Sequence, residues 1–126
     1  MILILEDNIE RMVEFRKRMI EIGSQFHWTN NAKECIRLIE TNKYDLILLD
    51  HDLGGEIFVD INKENTGSTV ARWMSNYPNN LNKDTPVIIH SHNYPAAQYM
   101  MSRIKKAIYV PSIWLKDTFH QVVRVK

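Results

Sequence analysis

Apolar residues in this chain gather in short runs that end abruptly in polar clusters. Ile2-Leu3-Ile4-Leu5 runs into Glu6-Asp7, Leu46-Ile47-Leu48-Leu49 into Asp50-His51-Asp52, and Val87-Ile88-Ile89 into His90-Ser91-His92-Asn93. Runs this short, without alternation, read as strands of a parallel sheet buried on both faces. The segments between them change period. Met12, Phe15, Met19 and Ile22 fall at helical spacing and predict a helix over 9–22 facing the core, capped by Asn8 and stopped by Gly23. Arg11, Glu14, Lys17, Arg18 and Glu21 form its expected water-facing side. A weaker strand follows at 26–29. A second helix is expected over 32–41, capped by Asn31, with Ala32, Cys35, Ile36 and Ile39 inward.

The rhythm then breaks. No helical pattern appears over 51–65, where a βα connection usually takes about 2–6 residues and longer loops tend to be functional or mobile. Ile57-Phe58-Val59 suggests a small extra strand there. Thr66-Gly67-Ser68 opens a third helix containing Val70, Ala71, Trp73 and Met74, which ends before Pro78. A polar link leads to the strand at 87–89. Pro95 starts a fourth helix over roughly 96–105, a fifth strand is expected at 107–110, and a last short helix within 112–123. The β-α alternation predicts an α/β fold, a doubly wound parallel sheet in one domain spanning 1–126.

Ligands of open α/β sheets bind outside the carboxyl ends of the strands, so three strands ending in acids and imidazoles argue for one shared site. Glu6, Asp7, Asp50 and Asp52 would bring four carboxylates together, an oxygen-rich set suited to Mg²⁺ or Mn²⁺, ions that commonly partner phosphate groups. His51, His90 and His92 add groups able to move protons near neutral pH or to bind a softer metal. Side chains alternate along extended backbone, so His90 and His92 share one side and Ser91 takes the other, and His51 and Asp52 likewise part.

Plainer readings stand beside these. Glu6-Asp7 also suits a helix start, and Asp52 also suits a turn cap before Gly54. Thr66-Gly67 suits either a helix cap or an anion site. His90 suits packing at the end of a buried strand, and His27 and His120 suit surface or packing roles. Trp28, Trp73, Trp114 and the Met100-Met101 pair read as core or interface.

Composition narrows the class. The 126 residues carry a formal net charge of +1, which gives no global pull toward nucleic acid, membrane or acidic partners. Cys35 is the single cysteine, so no internal disulfide forms, which suits a reducing, cytoplasmic setting. The N-terminal pattern is not that of a signal peptide, and no apolar run approaches the ~20 residues of a membrane span.

An acidic pair after the first strand, an aspartate after the third and a hydroxyl after the fourth resemble the response-regulator receiver domain. The resemblance implies a flavodoxin-like sheet of order 2-1-3-4-5. It implies Mg²⁺ on Asp7 and Asp50, helped by the backbone carbonyl of Asp52, a phosphoryl group accepted by Asp50, and Ser91 reading it. Receivers also carry a lysine before a proline after strand five, and here that place is Val110-Pro111. Leu-Asp-His-Asp-Leu-Gly, Asn-Thr-Gly and Val-Ile-Ile-His-Ser-His-Asn, followed by Pro95 and Ala97, resemble a divergent branch, the cyclic-phosphate-processing receivers. That likeness implies metal-dependent processing of cyclic phosphates or related phosphoesters, on nucleotides or RNA ends. Asp7 and Asp50 would then hold the metal, with Glu6 or Asp52 assisting. His92 or His51 would serve as general acid or base, and Ser91, Asn93 and Thr66 would contact phosphate. The alternative is a stand-alone receiver, phosphorylated on Asp50 or silent, that signals by binding a protein partner.

Overall fold

A computed structural model describes residues 1–123. Four-residue apolar runs form β1 (Ile2–Leu5) and β3 (Leu46–Leu49), every residue of both buried. With β2 (Phe26–Thr29), β4 (Val87–Ile89) and β5 (Ile108–Tyr109) they make one parallel sheet of order β2-β1-β3-β4-β5, the order that the receiver resemblance implies. The central register aligns Leu5 with Leu49 and Leu49 with Ile89, so the three polar clusters leave the sheet at one edge.

Alternation along the strands divides the core in two. Leu3, Leu5, Ile47, Leu49 and Ile89 pack with α2 (Ala32–Thr41), α3 (Gly67–Asn76) and α4 (Tyr94–Arg103). Ile2, Ile4, Leu46, Leu48 and Ile88 pack on the other face with Met12, Phe15 and Met19 of α1 (Ile9–Ile22) and Phe119 of α5 (Lys116–Val122). The helix starts follow local chemistry. Asn8, Asn31 and Asn93 each accept a backbone N–H of the first turn through the side chain. Gly23 ends α1 in the left-handed conformation at φ 67°. Capping by Asn93 starts α4 two residues before the predicted point.

Three expectations change. Residues 57–59 form no strand, because the Phe58 and Val59 N–H groups donate to the Asp52 carboxylate at 2.7 and 3.2 Å rather than to a neighbouring strand. Arg18 does not face water: it is buried on α1, pinned by Glu14 at 2.8 Å and Glu21 at 2.7 Å. Of the core-or-interface reading of Trp28 the core half falls: it is 42% exposed on β2, and its indole N–H donates to the Glu6 carbonyl at 2.7 Å. No helix among the described residues is long and apolar enough to cross a membrane.

Candidate active site

The first polar residue after each central strand continues that strand's alternation. Glu6, Asp50 and His90 therefore follow Ile4, Leu48 and Ile88 onto the α1 face. One oxygen each from Glu6, Asp7 and Asp50 lies within 4.8 Å of the others. Asp7 and Asp50 border a cleft of about 400 Å³ lined also by Arg11, Ser91, His92 and residues of the 51–65 loop.

Arg11 is a second α1 residue, after Arg18, that the hydrophobic pattern misassigned. It lies in the first turn of α1 and folds back onto the strand ends. Its Nε and Nη2 donate to the two Glu6 carboxylate oxygens at 2.8 and 3.0 Å, and Nη2 stands 3.5 Å from Asp50 Oδ2. The usable signal was its place in the first turn of a helix that starts directly above the sheet's carboxyl edge. Glu6 is fully buried and also accepts the Asp7 and Asn8 N–H groups, both at 3.0 Å. Burial pushes its carboxyl up, but the Arg11 hydrogen bonds and nearby His90 outweigh this and hold it below the ordinary range. Arg11 is raised in turn, chiefly by its hydrogen bonds to Glu6.

Asp50 is 3% exposed. Its Oδ1 accepts the His51 N–H at 2.8 Å. Burial first, then the Glu6 charge, raise its carboxyl well above the usual range, against a smaller downward pull from Arg11. Asp7 is half-buried, and its Oδ2 accepts the Gly55 N–H at 2.7 Å, which ties the long loop to the β1 end.

The other sequence candidates divide. Ser91 and His92 line the cleft, Ser91 buried and His92 exposed. His51 does not reach it. It follows Ile47 and Leu49 onto the opposite face, fully buried, with Nδ1 2.8 Å from Asp52 Oδ1. The Asp52 carboxylate stands apart from the acid cluster. It is taken by His51, the Phe58 and Val59 N–H groups, and Asn93 Nδ2 at 3.0 Å. Asn93 borders the cleft, but its amide is committed. Oδ1 caps Ala96 N–H, and Nδ2 donates to Asp52 and to the Val59 carbonyl. Thr66 is fully buried and its hydroxyl donates to the Lys63 carbonyl at 2.9 Å, while the following Gly67 N–H donates to the His51 carbonyl. Neither group faces the cleft. His90 is buried edge-on against Phe15, ring centroids 5.3 Å apart, with Nδ1 3.6 Å from Glu6 Oε1. Burial depresses its pKa to about 4.

Residues 1–106 match the family described as Cyclic-phosphate processing Receiver domain. No curated protein matches the chain. Solved structures share the fold at low identity. A CheY-like response regulator receiver domain from Methylobacillus flagellatus is 14% identical with a TM-score of 0.71, over 98% of this chain and 94% of that one. The non-phosphorylated HemR receiver domain from Leptospira biflexa is 20% identical with a TM-score of 0.71, over 98% and 91%. The receiver domain of a sensor histidine kinase from Pseudomonas aeruginosa PAO1, which coordinates a magnesium ion in its active-site cleft, is 18% identical with a TM-score of 0.66, over 98% and 93%.

Proposed function

The chain belongs to the cyclic-phosphate-processing receiver family, and from that premise we propose that it opens cyclic phosphates, or cleaves related phosphoesters, in a metal-dependent reaction. One observation carries the reading: Glu6, Asp7 and Asp50 converge within 4.8 Å, and Asp7 and Asp50 line a cleft that also holds Arg11, Ser91 and His92. The donors are all carboxylate oxygens, a hard set that suits Mg²⁺ or Mn²⁺. Burial first and the Glu6 charge second push the Asp50 carboxyl up, and a cation bound there would favour its ionised form. Asp7 and Asp50 are the residues that would hold it, since both Glu6 oxygens are engaged by Arg11. When bound, the ion supplies a Lewis acid to the phosphoryl oxygens. The magnesium in the cleft of the Pseudomonas aeruginosa receiver supports the same choice.

The chain's own residues supply the rest. Arg11 provides a fixed positive charge where Val110 stands in the place of the receiver lysine. The Ser91 hydroxyl oxygen already accepts the Asn93 N–H at 3.1 Å, which leaves its proton for a phosphoryl oxygen. Water adds to phosphorus, one ring P–O bond breaks, and the released alkoxide takes a proton. His92, exposed on the cleft wall, takes the proton from water and returns it to the leaving oxygen. His51 drops out of that role because it is buried on the other face of the sheet.

Hydrolysis of 2′,3′-cyclic phosphates and other phosphoesters across a panel of divalent metals tests this, with wild type beside Asp50→Asn. Metal-dependent turnover lost in Asp50→Asn is the expected result, and turnover unaffected by the substitution overturns it.

A second reading rests on Asp50 itself. Its Oδ1 is fixed by the His51 N–H, whereas Oδ2 has the longer 3.5 Å contact with Arg11. That oxygen suits a phosphoryl acceptor in a signalling module that docks a protein partner. Incubation with a small-molecule phosphodonor and Mg²⁺ should then add one phosphoryl mass, absent in Asp50→Asn.

A further inference from the structure

The cleft has two chemistries. Its floor is acids and Arg11, and its rim is apolar: Ile9, Ile57 and Phe58 line it at 63%, 80% and 72% exposure. None of the three belongs to either core cluster. Ile9 lies outside the α1 stripe of Met12, Phe15 and Met19. Phe58 is held outward at a conformational cost, being the one non-glycine with positive φ, at 51°, among the described residues. Its N–H and that of Val59 are fixed on the Asp52 carboxylate, which is itself braced by His51 and Asn93. A strained, four-point brace that keeps a phenyl ring in solvent at the mouth of a polar cleft has no packing explanation.

We propose that Phe58, flanked by Ile57 and Ile9, is a stacking platform for the base of a nucleoside whose phosphate lies on the acid floor. The inference rests on the phosphoester reading above and gives the base of a nucleotide substrate its binding residue. An apolar rim beside a phosphate site selects an amphiphilic ligand with a flat ring at one end and an anion at the other. A cleft of about 400 Å³ falls within the size range of small-ligand sites and holds one nucleotide rather than a bare phosphate. Stacking on an aromatic side chain tolerates any base, because every base has a π-face.

Calorimetric titration with Mg²⁺ present tests the platform without requiring turnover. The probes are adenosine 3′-monophosphate and glycerol 2-phosphate, which has the phosphate without the base. The proteins are wild type, Phe58→Ala and Phe58→Tyr. Loss of one stacked base is worth ~1–3 kcal/mol, so Phe58→Ala should weaken the nucleotide by roughly 5- to 150-fold. Glycerol 2-phosphate should bind wild type and Phe58→Ala alike, and Phe58→Tyr should restore the nucleotide. Nucleotide affinity unchanged in Phe58→Ala, equal weakening of both probes, or no nucleotide binding to wild type each overturns the platform. Turnover of a base-free cyclic phosphate without nucleotide binding overturns the platform and leaves the phosphoesterase standing. Phe58-dependent nucleotide binding without any turnover does the reverse.

Discussion

Arg11 closes a two-point ion pair on Glu6 at 2.8 and 3.0 Å, with Glu6 fully buried and the arginine side chain 26% exposed. Arg11→Ala would strand a buried carboxylate, at a cost of about 2–4 kcal/mol once the arginine's partial exposure is discounted. Arg11→Lys should recover only part, because an ammonium cannot match both oxygens. Removing both charges, in Glu6→Gln with Arg11→Ala, should be milder than Arg11→Ala alone. Urea unfolding of wild type, Arg11→Ala, Arg11→Lys, Glu6→Gln and the double variant checks this, and additivity of Arg11→Ala and Glu6→Gln would mean that the pair is not coupled.

Gly67 stands where α3 meets the end of β3. A Cβ there would press on the Asp50 carbonyl oxygen and lie 2.7 Å from Met100 Cε and 2.9 Å from His51 Cα. The methionine can move, but the two backbone atoms belong to the segment that presents Asp50. Gly67→Ala should cost about 3 kcal/mol and lower phosphoesterase turnover as well, by shifting Asp50. Gly54, at φ 77° with nothing within 4 Å of its Cβ position, is the control. Gly54→Ala should strain the loop and leave the β3 end in place. Equal stability of Gly67→Ala and wild type would refute the close packing.

Tyr44 supplies a pH test away from the site. It is 2% exposed, and its hydroxyl lies 2.7 Å from His27 Nδ1. Burial, then Cys35, raise its phenol to about 12. The unfolded phenol ionises near pH 10, so between about 10 and 12 the native state holds more protons and stability falls as pH rises. Below pH 10 the term is constant. Tyr44→Phe should flatten the decline by up to about 1.4 kcal/mol per pH unit. Denaturation midpoints at pH 9.5 and 11 in both proteins decide it, and parallel curves would remove Tyr44 as the cause.

The strands and helices were legible because burial imposes simple periods. Ile9–Ile22 and Ala32–Thr41 have the expected bounds, since asparagine caps and apolar spacing agree there. The three strand ends were legible for the same reason, as polar residues directly after buried runs need a purpose. Arg11 was not, because a charged residue on a helix reads as solvent-facing until the helix is docked on the sheet. His51 and Asn93 carried the right chemistry, but the alternation at strand ends and the bonds across the 51–65 loop place His51 behind the cleft and commit the Asn93 amide. The loop had no period to read. Its shape comes from Asp52, whose partners lie six to forty-one residues away, apart from adjacent His51.

That brace predicts a separation between loop order and metal binding. Asp52 receives four hydrogen bonds through a side chain only 15% exposed. Asp52→Ala should leave the Phe58 and Val59 N–H groups without acceptors, so their amide exchange should quicken while the β1 and β3 amides stay protected. Each lost bond to a carboxylate is worth up to about 1.5–3 kcal/mol, but solvent replaces part of it on a surface loop, so global stability should fall by only about 1–3 kcal/mol. The carboxylate is not among the three that converge. Mg²⁺ should therefore raise the melting temperature of Asp52→Ala as it does that of wild type. The same shift should vanish in Asp7→Asn and Asp50→Asn, whose oxygens would hold the ion. Loss of the Mg²⁺ shift in Asp52→Ala with loop exchange unchanged would return Asp52 to the metal site and take the brace away from it.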